Sequence, residues 1–217
     1  MTISPGIYAI HRGSDAEVQV QTLYDEVNGL RLTTGPATGG DRLGVPAFTL
    51  VLRGAIEADG LGAFKRGEAL VADAAAAIRA TAADTKVLTV IYEKGSSLAA
   101  GVALRAHEHP EWPACDPTPA KVLLTETPRQ QSLNLFMDPS RKFSSGFWRT
   151  TAYRRRSTEF PNFEVMHLLS GWIELTLDDG PTFRFEENDT YLIAKGTKCD
   201  WRTGGMSKIS CALVPVG

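Results

Sequence analysis

Long apolar runs, an excess of charge of either sign and paired cysteines are all missing from this chain, and each absence closes off a class of function. No stretch approaches the roughly 20 apolar residues that a membrane-crossing helix needs. The opening MTISPGIYAIHRGSD has no basic segment ahead of an apolar core, so the expectation is a cytoplasmic protein without a membrane partner. Lysine and arginine, 23 in all, nearly balance 25 aspartates and glutamates, leaving a formal net charge of -2. Such a chain has no global field to draw it onto nucleic acid. Its three cysteines, Cys115, Cys199 and Cys211, are an odd number, widely spaced and without a CxxC pair. That argues against a disulfide framework and against a cysteine zinc site, and the three are read as reduced thiols.

What is present is a succession of short apolar runs with glycine, proline and aspartate between them: Phe48 to Leu52, Val87 to Tyr92, Lys121 to Leu124, Val165 to Leu169, Trp172 to Leu177, Thr190 to Ala194 and Ile209 to Val214. Runs of that length with that punctuation predict an all-β protein. The alanine-rich VADAAAAIRATAAD from Val71 has helical composition, but it sits among strand patterns and is read with them. With 217 residues, two units of about 100 are as feasible as one large domain.

An internal repeat favours two units. TLVLRGAIEADG from Thr49 has the cadence of MHLLSGWIELTLDDG from Met166, which pairs Gly54-Ala55-Ile56-Glu57 with Gly171-Trp172-Ile173-Glu174. Downstream, FKRGEALVADAAAA from Phe64 echoes FRFEENDTYLIAKG from Phe183. Between the copies, HEHPEWPACDPTPA from His107 holds four prolines in fourteen residues, too many for regular structure. The expected organisation is a first barrel over 1–109, a proline-rich linker over 110–119 and a second barrel over 120–217.

Over roughly Phe143 to Pro215 the second copy resembles the cupin superfamily, the jelly-roll barrels of the RmlC type, and within it the ureidoglycine aminohydrolase and ethanolamine-utilisation group. The first cupin motif ends in a glutamate, six residues and a glycine; Glu164 and Gly171 stand at that spacing. The second motif runs glycine, five residues, Pro-x-Gly, two residues, histidine; here those places are held by Asn188, Ala194, Gly196 and Cys199. Trp201 and Lys208 follow where that group often has a tryptophan and a basic residue. The resemblance implies two tandem cupin barrels (double-stranded β-helices), with Glu164 and position 199 facing into the second.

In metal cupins two more histidines precede the glutamate. Those places fall on Thr158 and Phe160, or on Ser157 and Glu159, and no histidine stands at any of them. Because a first-row metal wants three or four N, O or S ligands, no metal or other cofactor is expected. The first copy departs further, with Ala47 at the glutamate position and Ile78 near the histidine position, and is read as a packing partner.

The expected second-barrel site comprises Glu164, Met166, Cys199, Trp201, Thr158, Phe160 and Arg155, an apolar hollow with one carboxylate and an indole, suited to a small-molecule ligand. Glu164 is the candidate catalytic acid–base group; the alternative is an inert, ion-paired carboxylate. Cys199 is either a nucleophile, which needs a base or positive charge beside it, or a filler of the space left by a histidine. Of Arg154, Arg155 and Arg156 in a strand, either Arg155 or the other two can look inward; an arginine there is a natural partner for a carboxylate ligand. His107 and His109 form the one HxH pair, read as solvated linker more readily than as a metal site. His167 falls on the face opposite Glu164 and is assigned to the outer face or an interface. A homodimer is expected, with Trp172 as one contact. Three readings remain open: a metal-free cupin binding a small polar metabolite, a metal-dependent bicupin enzyme (aminohydrolase, isomerase or dioxygenase) with an irregular ligand set, and a purely structural assembly protein.

Overall fold

The computed structural model describes residues 2–13, 21–37 and 44–215, and its regular structure is almost all β. The strands, in chain order, are β1 (Ile7–His11), β2 (Gln21–Asp25), β3 (Leu30–Pro36), β4 (Pro46–Arg53), β5 (Ala55–Ala58), β6 (Gly62–Lys65), β7 (Ala69–Asp73), β8 (Ile78–Ala80), β9 (Lys86–Tyr92), β10 (Val102–Leu104), β11 (Gln130–Met137), β12 (Phe143–Glu159), β13 (Phe163–Thr176), β14 (Thr182–Glu186), β15 (Thr190–Ile193) and β16 (Lys198–Leu213). The alanine-rich segment forms β7, a turn and β8 rather than a helix. Of the expected strand runs, Lys121 to Leu124 differs: Ala120–Val122 is a 3-10 turn, and only Leu123 makes a bridge, to Arg155. The turn begins directly after Pro119, whose ring fixes φ and supplies no N–H.

Every strand pairing is antiparallel. One sheet runs β1-β15-β13-β16-β12-β11 with β14 added to β13; a second runs β10-β7-β4-β9-β3-β2; a small third runs β6-β5-β8. Although β1 comes from the first 109 residues, it lies on the sheet of the second unit, paired with β15. The ladder is extended by Gly6 N–H donating to Thr197 Oγ1 at 2.7 Å, across 191 residues of chain.

The largest apolar core lies between the six- and seven-stranded sheets. Leu32, Phe48, Leu50 and Leu88 from one side meet Phe143, Phe163, Val165 and Leu213 from the other, and Tyr92 stacks on Phe143 at 5.7 Å across the seam. Separate clusters fill the interior of each unit: Val51, Ile56, Phe64 and Leu70 in the first, and Met166, Ile173, Phe185 and Tyr191 in the second. This explains the uninterrupted apolar reading of β4, which is buried over Pro46–Leu52. It also explains β13, where Val165 faces the seam while Met166 faces the interior of its own unit.

The two copies of the repeat share backbone geometry. Gly54 and Gly171 have φ of 73° and 77°, each where the strand turns a corner. A Cβ at Gly171 would meet the Gly205 carbonyl oxygen at 2.1 Å, and one at Gly54 would meet Thr85 Oγ1 at 2.5 Å, so no larger residue fits either corner. Downstream the expected register is off by two residues. Ile56 pairs with Phe64 and Ile173 with Phe185, so Phe64 corresponds to Phe185 and not to Phe183. The next corner confirms the match: Gly67 (φ 79°) answers to Asn188 (φ 70°). Glu68 and Asp189 then close the same turn, each accepting from the N–H three residues back, at 3.0 Å for Lys65 and 2.9 Å for Glu186. Asparagine stands at the motif's glycine because it tolerates this left-handed backbone better than most residues.

The proline-rich segment is not a solvated tether. Trp112 is only 7% exposed, stacks on Phe147 at 5.3 Å and donates Nε1–H to the His109 carbonyl at 2.7 Å. Residues 113–115 run along the edge of β11, with Cys115 N–H donating to Gln130 O and Ser132 N–H to Pro113 O. Burial of an indole outweighs the lack of regular hydrogen bonding here. His107 is the solvated member of the pair, its Nδ1 lying 3.4 Å from Glu68 Oε1.

Candidate functional site

Inside the second unit is a cavity of about 390 Å³, with Arg155, Glu164, Lys208, Tyr153, Trp148, Trp201 and Phe160 among its walls. Strands β11, β12, β13 and β16 and the turn after β12 supply it. On β12, Arg155 points inward while Arg154 and Arg156 are exposed, which realises one of the two expected alternations. Directly across the ladder, Arg155 pairs with Trp201 and Trp148 with Lys208, so each cation lies over the ring opposite it: Arg155 Cζ is 5.5 Å from the Trp201 centroid and Lys208 Nζ is 5.1 Å from that of Trp148. Cation–π pairs of this kind are favourable, the more so away from water.

Glu164, on β13, reaches Lys208 on β16, with Nζ to Oε1 at 2.6 Å; the two side chains are 17% and 6% exposed. Met166 does not form the wall as expected but packs behind it, its Sδ 3.2 Å from Lys208 Nζ. Thr158 also lies behind the wall and accepts from Arg155 Nη1. Cys199 is fully buried; its carbonyl accepts from Arg155 Nη1 at 3.3 Å, and burial pushes its thiol up. Burial outweighs the Arg155 guanidinium beside the thiol, and a protonated thiol fits the reading of a space-filler. Of the expected site residues, Glu164, Trp201, Phe160 and Arg155 meet at the cavity. Lys208, Trp148 and Tyr153 join them; of these only Lys208 carried a prior signal, as the basic residue after Trp201. The Tyr153 hydroxyl engages Thr118 and Gln130, and burial raises its pKa.

The cupin fold family commonly carries a metal at this place, and the donors here do not fit one. Glu164 is held by an ammonium, Cys199 is a buried thiol, Thr158 is committed to Arg155, and Glu159 is exposed. Two cations already face the cavity. Among the described residues no group of three His, Cys, Asp or Glu side chains is arranged to hold a metal ion.

Two other hollows compete on size. A groove of about 860 Å³ runs between the proline-rich segment and the second unit, and at its wall Arg149 Nε donates to Gln131 Oε1 and Gln131 Nε2 to the Trp112 carbonyl, both at 2.7 Å. The first unit has a hollow of about 300 Å³ lined by Thr33, Thr49 and Thr89, with Ala47 and Ile78 on its wall. Its one guanidinium, Arg31, is bound to Glu93 at 2.9 Å. Of the buried side-chain polar atoms without a partner among the described residues, Trp201 Nε1 belongs to the wall of the Glu164 cavity, and none belongs to the walls of these two hollows.

On the far face of β13, His167 is buried between the units, its Nδ1 2.8 Å from Thr190 Oγ1. Gly67 of the first unit leaves room for Nε2. Burial, reinforced by His11 and Arg66, lowers its pKa to about 3. Trp172 lies at the surface between the guanidinium groups of Arg184 and Arg202.

With this geometry in view, comparison with known proteins is informative at the level of fold. Residues 137–204 match the EutQ-like cupin domain family, and no curated protein matches the sequence. Among solved structures, a DUF861-family protein of unknown function from Pseudomonas syringae pv. tomato superposes with a TM-score of 0.81 at 19% identity, covering 96% of this chain and all of that one. A cupin 2 conserved barrel domain protein from Leptotrichia buccalis gives 0.57 at 13% identity over 97% of this chain and 98% of that one. Salicylate 1,2-dioxygenase from Pseudaminobacter salicylatoxidans gives 0.56 at 10% identity over 98% and 85%. Identities this low speak to fold alone. The chain therefore has the cupin fold, and its residues 137–204 are similar to EutQ-like cupin domains.

Proposed function

We propose that this is a two-cupin protein whose second barrel binds a small polar metabolite without a transition metal, while the first barrel serves as its packing partner. The observation that carries the reading is the Glu164–Lys208 pair at the wall of a 390 Å³ cavity. A buried ion pair is expensive to keep dry, and apolar residues of the same volume would stabilise the barrel at least as well. Its retention beside aromatic walls has the make-up of a ligand site, in which a few polar groups orient a ligand against apolar surface. The carboxylate is committed to Lys208, so the role assigned to it is recognition. The metal-enzyme reading has no support from the donor set.

Thermal-shift screening of a metabolite library tests the proposal, since a ligand that binds only the folded state raises the melting temperature. Ser210 lines the cavity, and Ser210→Trp fills it. Hits on the wild type should vanish in this variant. Hits that survive Ser210→Trp but are lost on Arg149→Ala would move the site to the groove at the proline-rich segment and overturn the proposal.

A further inference from the structure

The cavity is unbalanced in both charge and hydrogen-bonding capacity. Two cations and one carboxylate face it, and Lys208 and Glu164 neutralise each other at 2.6 Å. Arg155 is left over. It is 7% exposed, and its Nη1 donates to Thr158 Oγ1 and to the carbonyls of Arg156 and Cys199. It also hydrogen-bonds the Cys199 side chain, and among the described residues it has no carboxylate partner. Trp201, over whose ring Arg155 lies, is 4% exposed and its Nε1–H is buried with no acceptor among the described residues. A buried guanidinium without an anion, next to a buried unpaired N–H, is a costly arrangement for a protein to keep for packing alone.

We propose that the ligand of this cavity is a small monocarboxylate with an apolar body, its carboxylate paired with the Arg155 guanidinium and accepting from Trp201 Nε1–H. The inference rests on the reading that the cavity binds a small molecule. Arginine's planar fork matches a carboxylate bidentately, and one net positive charge calls for one negative charge. A phosphate monoester, closer to two negative charges near neutral pH, would be opposed by the Glu164 carboxylate on the same wall. The apolar body faces Trp148 and Phe160, which supply ring surface and no charge.

Calorimetric titration of the full chain with matched probes tests this: benzoate, the isosteric neutral benzamide, and inorganic phosphate. Benzoate should bind about tenfold or more tightly than benzamide, the effect of one charge-assisted hydrogen-bonded contact, and phosphate should not compete. Arg155→Gln should abolish the preference for benzoate and Arg155→Lys should keep part of it. Trp201→Phe, which retains a ring but removes the N–H, should weaken benzoate and leave benzamide unchanged; it serves as the probe if Arg155→Gln does not fold. Benzamide binding as tightly as benzoate, with both lost in Ser210→Trp, would overturn the carboxylate assignment while leaving the small-molecule reading intact. Phosphate displacing benzoate would do the same. If neither organic probe binds and the library hits also ignore Ser210→Trp, both readings fall.

Discussion

Lowering the pH from 7 to 5 should cost the folded protein about 2 kcal/mol of stability through His167 alone. The group ordinarily titrates at 6.5 and in the fold at about 3, because taking the charged imidazolium out of water between two sheets is unfavourable. Above pH 6.5 both folded and unfolded chains hold it neutral, and its contribution is fully present. As the pH falls through 6.5 the unfolded chain takes up a proton that the folded chain refuses, so stability drops by roughly 1.4 kcal/mol per pH unit. The loss continues down to about pH 3, where the folded state protonates as well. Between pH 7 and 5 the size of the effect is set by the unfolded value, so any folded value well below 5 gives the same answer. Most carboxylates titrate lower and contribute little in this window. His11, whose pKa burial also lowers, acts in the same direction. Urea unfolding followed by tryptophan fluorescence at pH 7, 6 and 5 measures the slope. His167→Gln, which can still hydrogen-bond Thr190, should lose about 2 kcal/mol less than the wild type over this range. Equal losses in the two proteins would refute the reasoning.

The Glu164–Lys208 pair yields a second expectation: Glu164→Gln leaves the ammonium buried without its carboxylate and should destabilise by about 3 kcal/mol, while the double variant Glu164→Gln/Lys208→Met should recover much of that loss in chemical denaturation. A double variant no more stable than the single one would show that the pair is not the coupled unit. Trp112→Ala should cost about 3 kcal/mol because the indole is core; a change near zero would return the proline-rich segment to the status of a tether. Elemental analysis of protein purified without an affinity tag should find far less than one equivalent of zinc, iron, manganese or nickel. A full equivalent lost on replacing Glu164 would reverse the fit argument.

The β content and the glycine corners could be read from the sequence because they depend on local pattern: alternation, turn residues and a backbone conformation that few side chains permit. The inward placement of Glu164 was an expectation from the cupin resemblance, and alternation narrowed the arginine run to Arg155 or its two neighbours without choosing between them. Three features did not follow, each for a physical reason. Phe183 and Phe185 share a strand face, stacked 6.3 Å apart, so period-two reasoning cannot tell which of them answers to Phe64. Trp148 and Tyr153 both reach the cavity although strict alternation puts them on opposite faces, because β12 turns a corner where Thr151 faces Gly205, at φ 108°. The partnership of Glu164 with Lys208 spans 44 residues and depends on two strands curving toward each other, a property of the barrel and not of either segment. Trp112 shows the limit of reading prolines as linker: they exclude ladders, but they do not prevent packing.

The position of β1 also sets the order of assembly. During synthesis the first strand leaves the ribosome long before β15 exists, so its hydrogen-bonding edge has no partner until nearly the whole chain has been made. Long-range pairings of this kind are the slow part of β-protein folding. Docking of β1 is therefore a late event on the folding route, and a chain cut within the proline-rich stretch would yield a C-terminal fragment with a sticky β15 edge that the separated N-terminal fragment could complement in trans.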